Sequence, residues 1–314
     1  CRDTTFELNE TSLPLIVRSS DITLRCGVLG QRENNCTIVG GVQQLVVIGD
    51  SKNARVEGIT FVGTANSTAV FGLGNVTSDA AFYDCEFSGH RGIAAFIVAS
   101  SQTFDHVGLR HMEMLFSEIA HRILQLSTLP DKMYPAMIVR FNNCLFNANF
   151  VNIAPLANLG GKVYVENCQF KKNSGEIGGV VTIFSGRLSL ASSCFIQNKG
   201  TLAGSVLLES RSMLLEESEN YGTKNTALVD CNGVIFADNK TCVDFNSKEC
   251  RVEIQGSSPS FSPTNLGSSE NTTCFSDWEI FYSAVFAAKG GEKFRICQDT
   301  TFKLEEYVDS GLVP

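Results

Sequence analysis

One short stretch of sequence is written three times between Cys144 and Asn198: FNNCLFNAN, VENCQFKKN and ASSCFIQN. Cys144, Cys168 and Cys194 stand 24 and 26 residues apart. Each opens an apolar three-residue strand, and an Asn follows shortly after (Asn149, Asn173, Asn198). A repeat of this period means a solenoid, because one turn buries its inner face only by stacking on its neighbours. The runs are β-branched and aromatic, alternate with period two and are broken by Gly and Asn, so the turns are made of strands. The template also extends backwards, through Cys36-Thr37-Ile38, Ile59-Thr60-Phe61 and Cys85-Glu86-Phe87 at steps of 23 and 26 residues. Val180–Phe184 and Arg187–Leu190 predict three short strands per turn. Asn and Gly at the bends tolerate the left-handed backbone that a sharp corner requires.

The repeat is interrupted in three places. From Cys85 to Cys144 is 59 residues, which leaves an insertion at 101–135. Within it, Met114, Leu115, Ile119, Ile123, Leu124 and Leu126 lie near helical spacing and predict an amphipathic helix packed outside the coil. Further on, EESENYGTKN (216–225) reads as a polar excursion before a last rung, Val234-Ile235-Phe236 with Asn239. From Cys242 the pattern fades into a Ser/Pro-rich linker. SDWEIFYSAVFAAKGG then predicts a helix, with Ser276 as N-cap, a stripe of Trp278, Phe281, Tyr282, Val285 and Phe286, and Gly290 as the stop.

The opening CRDTTFEL returns as CQDTTFKL from Cys297, six of eight positions matching at an offset of 296. This predicts a tandem array: a β-helix over 1–250, a disulfide-containing linker over 251–275, and at 276–314 a capping helix with the first strand of the next unit. An open solenoid end exposes core and unpaired strand edges, so a helix just before the first rung is expected as its cap. The cap of the coil that starts at Cys1 is then expected upstream or from a neighbouring chain.

Twelve cysteines and six Asn-X-Ser/Thr sequons, at Asn9, Asn35, Asn66, Asn75, Asn239 and Asn271, predict an extracellular or cell-surface glycoprotein. Cys26 and Cys36 flank a short Gly- and Asn-rich loop and are expected to pair. Cys231, Cys242, Cys250 and Cys274 cluster where the coil ends and allow three pairings among themselves. The net charge of −8 argues against nucleic acid or an anionic membrane as a partner, and no apolar run reaches the roughly 20 residues of a membrane span.

Phe146-x-x-Asn149, Phe170-x-x-Asn173, Phe195-x-x-Asn198 and Phe236-x-x-Asn239, with Gly178-Gly179-Val180 and Gly204-Ser205-Val206, carry a resemblance. They resemble the FxxN and GG[AIV] elements of right-handed parallel β-helix surface proteins, the group that includes pectate-lyase-like folds and bacterial polymorphic outer-membrane adhesins. The helix cap, the Cys-x-Asp-Thr strand and the Cys-x-Phe rungs look more like secreted β-helix proteins of diatoms and related algae. The resemblance implies an all-β, right-handed parallel β-helix and says little about function, since lyases, hydrolases, adhesins and fibres share it. Phe87-x-x-His90 and Phe61-x-x-Thr64 depart from FxxN, and the Cys194 rung carries its Phe one residue nearer the Cys.

No catalytic, cofactor or metal constellation is legible. Stacked cysteines with parallel Cβ vectors suit neither zinc nor an unstrained disulfide, and are expected to pack as small hydrophobes. Asp84, Glu86 and Glu166 are scattered. His90 lies in a tight turn, and His106, His111 and His121 show no ligand spacing. The expectation is therefore a non-catalytic structural module that stacks on copies of itself and carries N-linked glycans. The rivals are a polysaccharide lyase or hydrolase on the same fold, with polysaccharide as partner, and an adhesin.

Overall fold

A computed structural model of the chain describes residues 4–8, 14–99, 137–250 and 274–304, apart from short gaps at 42, 50, 65–67, 75–76, 177, 228–230, 239–240 and 248–249. The insertion at 101–135 with its expected helix, and most of the linker, lie outside the described residues.

The described chain is a parallel β-solenoid of about seven turns. Four turns are built from separate strands: β2 (Leu15–Val17), β3 (Thr23–Cys26) and β4 (Cys36–Gly40); β5 (Leu45–Gly49), β6 (Ala54–Glu57) and β7 (Ile59–Val62); β8 (Thr68–Gly74), β9 (Asp79–Tyr83) and β10 (Glu86–Ser88); β11 (Ala94–Ala99), β12 (Ile138–Asn142) and β13 (Leu145–Asn147). In the next three turns the first two strands fuse into β15 (Leu156–Glu166), β18 (Val181–Ala191) and β21 (Val206–Ser218). Each long strand leads into a short one: β16 (Gln169–Lys171), β19 (Cys194–Ile196) and β22 (Tyr221–Thr223). The two strands expected over Val180–Phe184 and Arg187–Leu190 are thus one strand bent in its middle, whereas the first four turns keep three separate strands. Gly160 and Gly186 stand at that bend with φ of 148° and 103°. Asn158 braces it, its Oδ1 accepting from the Gly161 N–H at 2.7 Å.

A minor sheet of β14 (Phe150–Val151), β17 (Ser174–Gly175) and β20 (Lys199–Gly200) follows the short strands. A Cβ on Gly200 would lie 1.8 Å from the Ala203 carbonyl, so this corner admits only Gly. At the far end, β23 (Val234–Phe236) continues the β21 face and turns into β24 (Thr241–Val243), the one antiparallel pair among the described strands.

The register read from the repeat is the register observed. Ile38, Phe61, Phe87, Phe146, Phe170 and Phe195 lie opposite one another on successive turns. Their rings stack with centroids 4.7 Å apart from Phe87 to Phe146, Phe146 to Phe170 and Phe170 to Phe195. That separation is close to the inter-strand spacing of a sheet, so the aromatic column costs no distortion of the ladder.

One rung was not legible. EESENYGTKN is no excursion: it contains β22, the seventh turn, in which Gly222 faces Phe195. Without Phe or Cys at the key positions it does not resemble the template. Conversely, Val234-Ile235-Phe236 pairs with Val206–Leu208 on a different face, so Phe236 does not continue the Phe column. Phe245 covers Phe195 instead, at 5.1 Å.

One outward face is also apolar and buried. Val46, Phe71, Ile97, Ala99 and Phe184 form a second cluster outside the main core. This is the face that β11 occupies as it runs to the edge of the insertion.

Candidate functional site

The polar side chains of the repeat are built into ladders that run along the coil. Asn149, Asn173 and Asn198 form a buried ladder. Asn149 Nδ2 donates to Asn173 Oδ1 at 2.9 Å, and Asn173 Nδ2 to Asn198 Oδ1 at 3.1 Å. Each Nδ2 also donates to a Phe carbonyl of the preceding turn, Phe87, Phe146 and Phe170 respectively, at 2.9 Å. Asn225 extends the ladder by accepting from Asn198 at 3.1 Å, and Asn232 ends it by accepting from Asn225 at 3.0 Å.

His90 and Thr64 occupy the same ladder in the earlier turns. The His90 N–H donates to Asn149 Oδ1 at 3.1 Å, and His90 Nδ1 accepts from the Thr64 N–H at 3.1 Å. An Nδ1 that accepts a backbone proton fixes the neutral tautomer with the proton on Nε2, which makes no hydrogen bond. Burial pushes His90 down to about 4. This side chain is a neutral structural rung.

Asp84 lies at a corner in the left-handed region, φ 52°, where Asn143, Asn167 and Ser192 stand in later turns. It accepts from the Arg32 N–H at 2.9 Å and from Asn143 Nδ2 at 2.9 Å. Burial nevertheless pushes it up to about 6, outweighing Arg32. Glu166 accepts from Asn142 Nδ2 at 3.1 Å. Asp84 and Glu166 thus accept hydrogen bonds beside corners, while Glu86 lies on β10, apart from both. His106, His111 and His121 lie outside the described residues.

Cys85, Cys144 and Cys168 are free, buried and stacked on successive turns. Cys85 donates to the Val56 carbonyl at 3.4 Å, Cys144 to Phe82 at 3.3 Å and Cys168 to Glu166 at 3.2 Å. Burial pushes the Cys85 and Cys168 thiols well above their ordinary value. Cys194 departs from the expectation for this column. Because Phe195 keeps the Phe register, Cys194 slides to the position of Gln169, and Ser193 takes the column by accepting from the Cys168 N–H at 3.1 Å. On its new face Cys194 is paired with Cys250, with Cα atoms 5.9 Å apart.

The other disulfides lie at the ends of the coil. Cys26–Cys36 pairs as expected across its loop. Cys231 pairs with Cys242, whereas Cys250 and Cys274 reach outside the late cluster, to Cys194 and Cys297. The three pairings within that cluster thus overlooked two partners that the coil brings near. Among the described residues, the one group of His, Cys, Asp and Glu close enough to share an ion is Cys231, Cys242 and Asp244. Two of its three ligand atoms are spent on a disulfide.

The capped end is the most specialised surface. The helix α1 (Trp278–Phe286) is followed by β25 (Lys293–Ile296) and β26 (Thr300–Leu304). Asp277 rather than Ser276 is the N-cap, because its side chain accepts from the Ile280 N–H at 3.0 Å. The helix ends at Phe286, ahead of Gly290. Trp278, Phe281 and Val285 are buried against the coil, while Phe286 is exposed beneath the Arg18 guanidinium at 4.8 Å.

The cap closes the first turn of this same chain. β25 pairs parallel with β3, Lys293 opposite Thr23 and Ile296 opposite Cys26. β26 pairs with β4, Phe302 opposite Ile38, and so begins the aromatic column. Trp278 and Phe281 lie 5.2 and 5.7 Å from the Phe302 ring. The N-terminal copy of that strand, β1 (Thr4–Leu8), lies on the outer edge of β26 in matched register, Thr4 opposite Thr300 and Leu8 opposite Leu304. The coil therefore accepts a cap from the repeated C-terminal segment rather than from an upstream one.

Of the six sequons only Asn35 is described. It is exposed at a left-handed corner, and its Nδ2 donates to Asp299 Oδ1 at 3.3 Å, which puts it beside the cap. No protein-family model, curated protein or solved structure matches this chain. The class it can be given is that of its fold, a disulfide-bonded parallel β-solenoid.

Proposed function

We infer that this solenoid is a non-catalytic structural module, repeated end to end in a glycosylated extracellular filament or surface coat. The observation that carries the reading is the fit of the C-terminal cap to a first turn. The strand that restarts the repeat at Cys297 sits in the register that a following unit would need, with α1 covering the Phe column behind it. Four disulfides suit an oxidising compartment, and no described helix is long and apolar enough to cross a membrane. Among the described residues, Asp84 and His90 each accept from a backbone N–H of the coil. Seven turns and the cap rung, at about 4.8 Å each, give a unit length of about 40 Å. Electron microscopy of the native material tests this: an axial repeat of one unit is expected, and a lone particle with no flanking copies would sink the idea.

A further inference from the structure

The chain carries one seat, the edges of β3 and β4 with Ile38 and Phe61 behind them, filled here by β25 and β26, and two segments of nearly one sequence that match it. The positions shared by the two strands are those the seat reads. The Asp299 N–H donates to the Asn34 carbonyl at 2.7 Å, Thr300 is buried and Phe302 enters the aromatic column. The C-terminal strand brings apolar cover with it, Trp278 and Phe281 lying on the Phe302 ring. Its cap is a self-contained piece: Cys274–Cys297 ties the strand to the segment before α1, and Phe275 packs on Phe281 and Phe294.

The way the cap is tethered bears on whose seat it fills. Cys250 is bonded to Cys194 on β19, and six strand steps separate β19 from β26 in the sheet order. At about 4.8 Å per step that is roughly 29 Å along the axis. To reach its own seat the cap must return the whole length of the coil. To reach the first turn of a copy standing in line, it need only go forward.

We propose that this seat is a docking surface between copies: residues 274–304 of one copy cap the first turn of the next. The seat lies at one end of the coil and the tether of the cap, Cys250 bonded to β19, toward the other, so the contact is head to tail and propagates without closing on itself. The inference rests on the end-to-end reading above and supplies its joint.

The test uses the chain's single tryptophan, Trp278, which reports whether the cap is seated. Deleting residues 252–271 leaves four residue steps between Cys250 and Cys274, a reach of roughly 14 Å, too short for self-capping. The shortened chain is expected to bury Trp278 only in head-to-tail oligomers, with emission shifting red on dilution as they separate. A monomer at every concentration, whether Trp278 is buried or exposed, overturns the proposal. Adding Phe302→Asp should abolish the oligomers while the β-sheet circular dichroism is kept; oligomers that persist also overturn it. Should the shortened chain not fold, the full-length chain refolded near 1 mM, where tethered and free caps compete, should give exchanged head-to-tail oligomers that Phe302→Asp removes. Their absence overturns it as well. Native material without a filament would break the functional reading and leave this interface standing. A filament whose units each keep their own cap would break the interface alone.

Discussion

The middle of the coil and its two ends are held by different chemistry. In the third to fifth turns the cysteines are free: Cys85, Cys144 and Cys168. Among the described residues the eight bonded cysteines tie down the ends, Cys26–Cys36 and Cys274–Cys297 at the cap, Cys194–Cys250 and Cys231–Cys242 at the hairpin. A middle turn is stacked on both sides, so its Phe and Asn columns are continuous. A terminal turn has one neighbour and leaves half of each column unpaired, which makes it the place where a solenoid frays. Cross-links are used where stacking is missing.

Breaking the Asn ladder in the middle should have the largest effect. Asn173→Leu removes the acceptor for the Asn149 N–H and Nδ2 and the donor to the Phe146 carbonyl. At about 1–3 kcal/mol for each of these three buried groups left unpaired, a loss of about 3–9 kcal/mol is expected in urea unfolding. An unchanged midpoint would show that the ladder is decorative.

Next come the end staples. Opening Cys231–Cys242, a separation of 11 residues, by Ser substitution at both positions should cost about 3 kcal/mol. Amide exchange should accelerate in β23 and β24 while the middle turns stay protected. Uniform acceleration would contradict the division into middle and ends.

Acid should divide the middle in a different way. His90 is lowered to about 4, so its contribution is complete above its usual value of 6.5 and is lost as the pH falls toward 4. That span amounts to about 3 kcal/mol. Asp84 is raised from 3.8 to about 6, so its contribution is complete below 3.8 and is lost as the pH rises toward 6. The two slopes oppose each other, and the native chain should unfold with nearly flat stability between pH 4 and 6. His90→Asn, which restores the ladder residue, should leave stability falling as the pH rises over this range. Asp84→Asn should leave it rising. A steep native profile would show that one of the two groups titrates normally.

The smallest effect is expected for Cys144→Ala. Its thiol lies 3.3 and 3.4 Å from the Phe82 and Asn142 carbonyls, weak bonds for a thiol, so a loss below about 1.5 kcal/mol is expected in the same urea assay. A larger loss would give the thiol column a role that packing does not explain.

Much of this was legible because a solenoid writes its contacts at one short period. Phe61, Phe87, Phe146, Phe170 and Phe195 each meet the residue about one turn away, so spacing alone set their register. His90 and Thr64 departed from FxxN in type yet not in place, since a ring nitrogen can accept the bond that an amide oxygen takes elsewhere. Gly222 and Tyr221 hid a whole turn, because the backbone ladder holds them there with none of the template's side chains. Cys194 was misjudged because a one-residue shift in a strand reverses the face of its neighbour.

By itself, then, the sequence determined the coil, its rung length, its aromatic and Asn columns and the existence of a cap. The tertiary structure decided where the cap sits, which late cysteines reach back to Cys194 and Cys297, and that an Asp and a His act as braces. The reason lies in distance along the chain. Stacking contacts recur every 25 residues or so and leave a periodic trace in the sequence. Closing an end joins residues such as Phe302 and Ile38, 264 apart, and no period records that meeting.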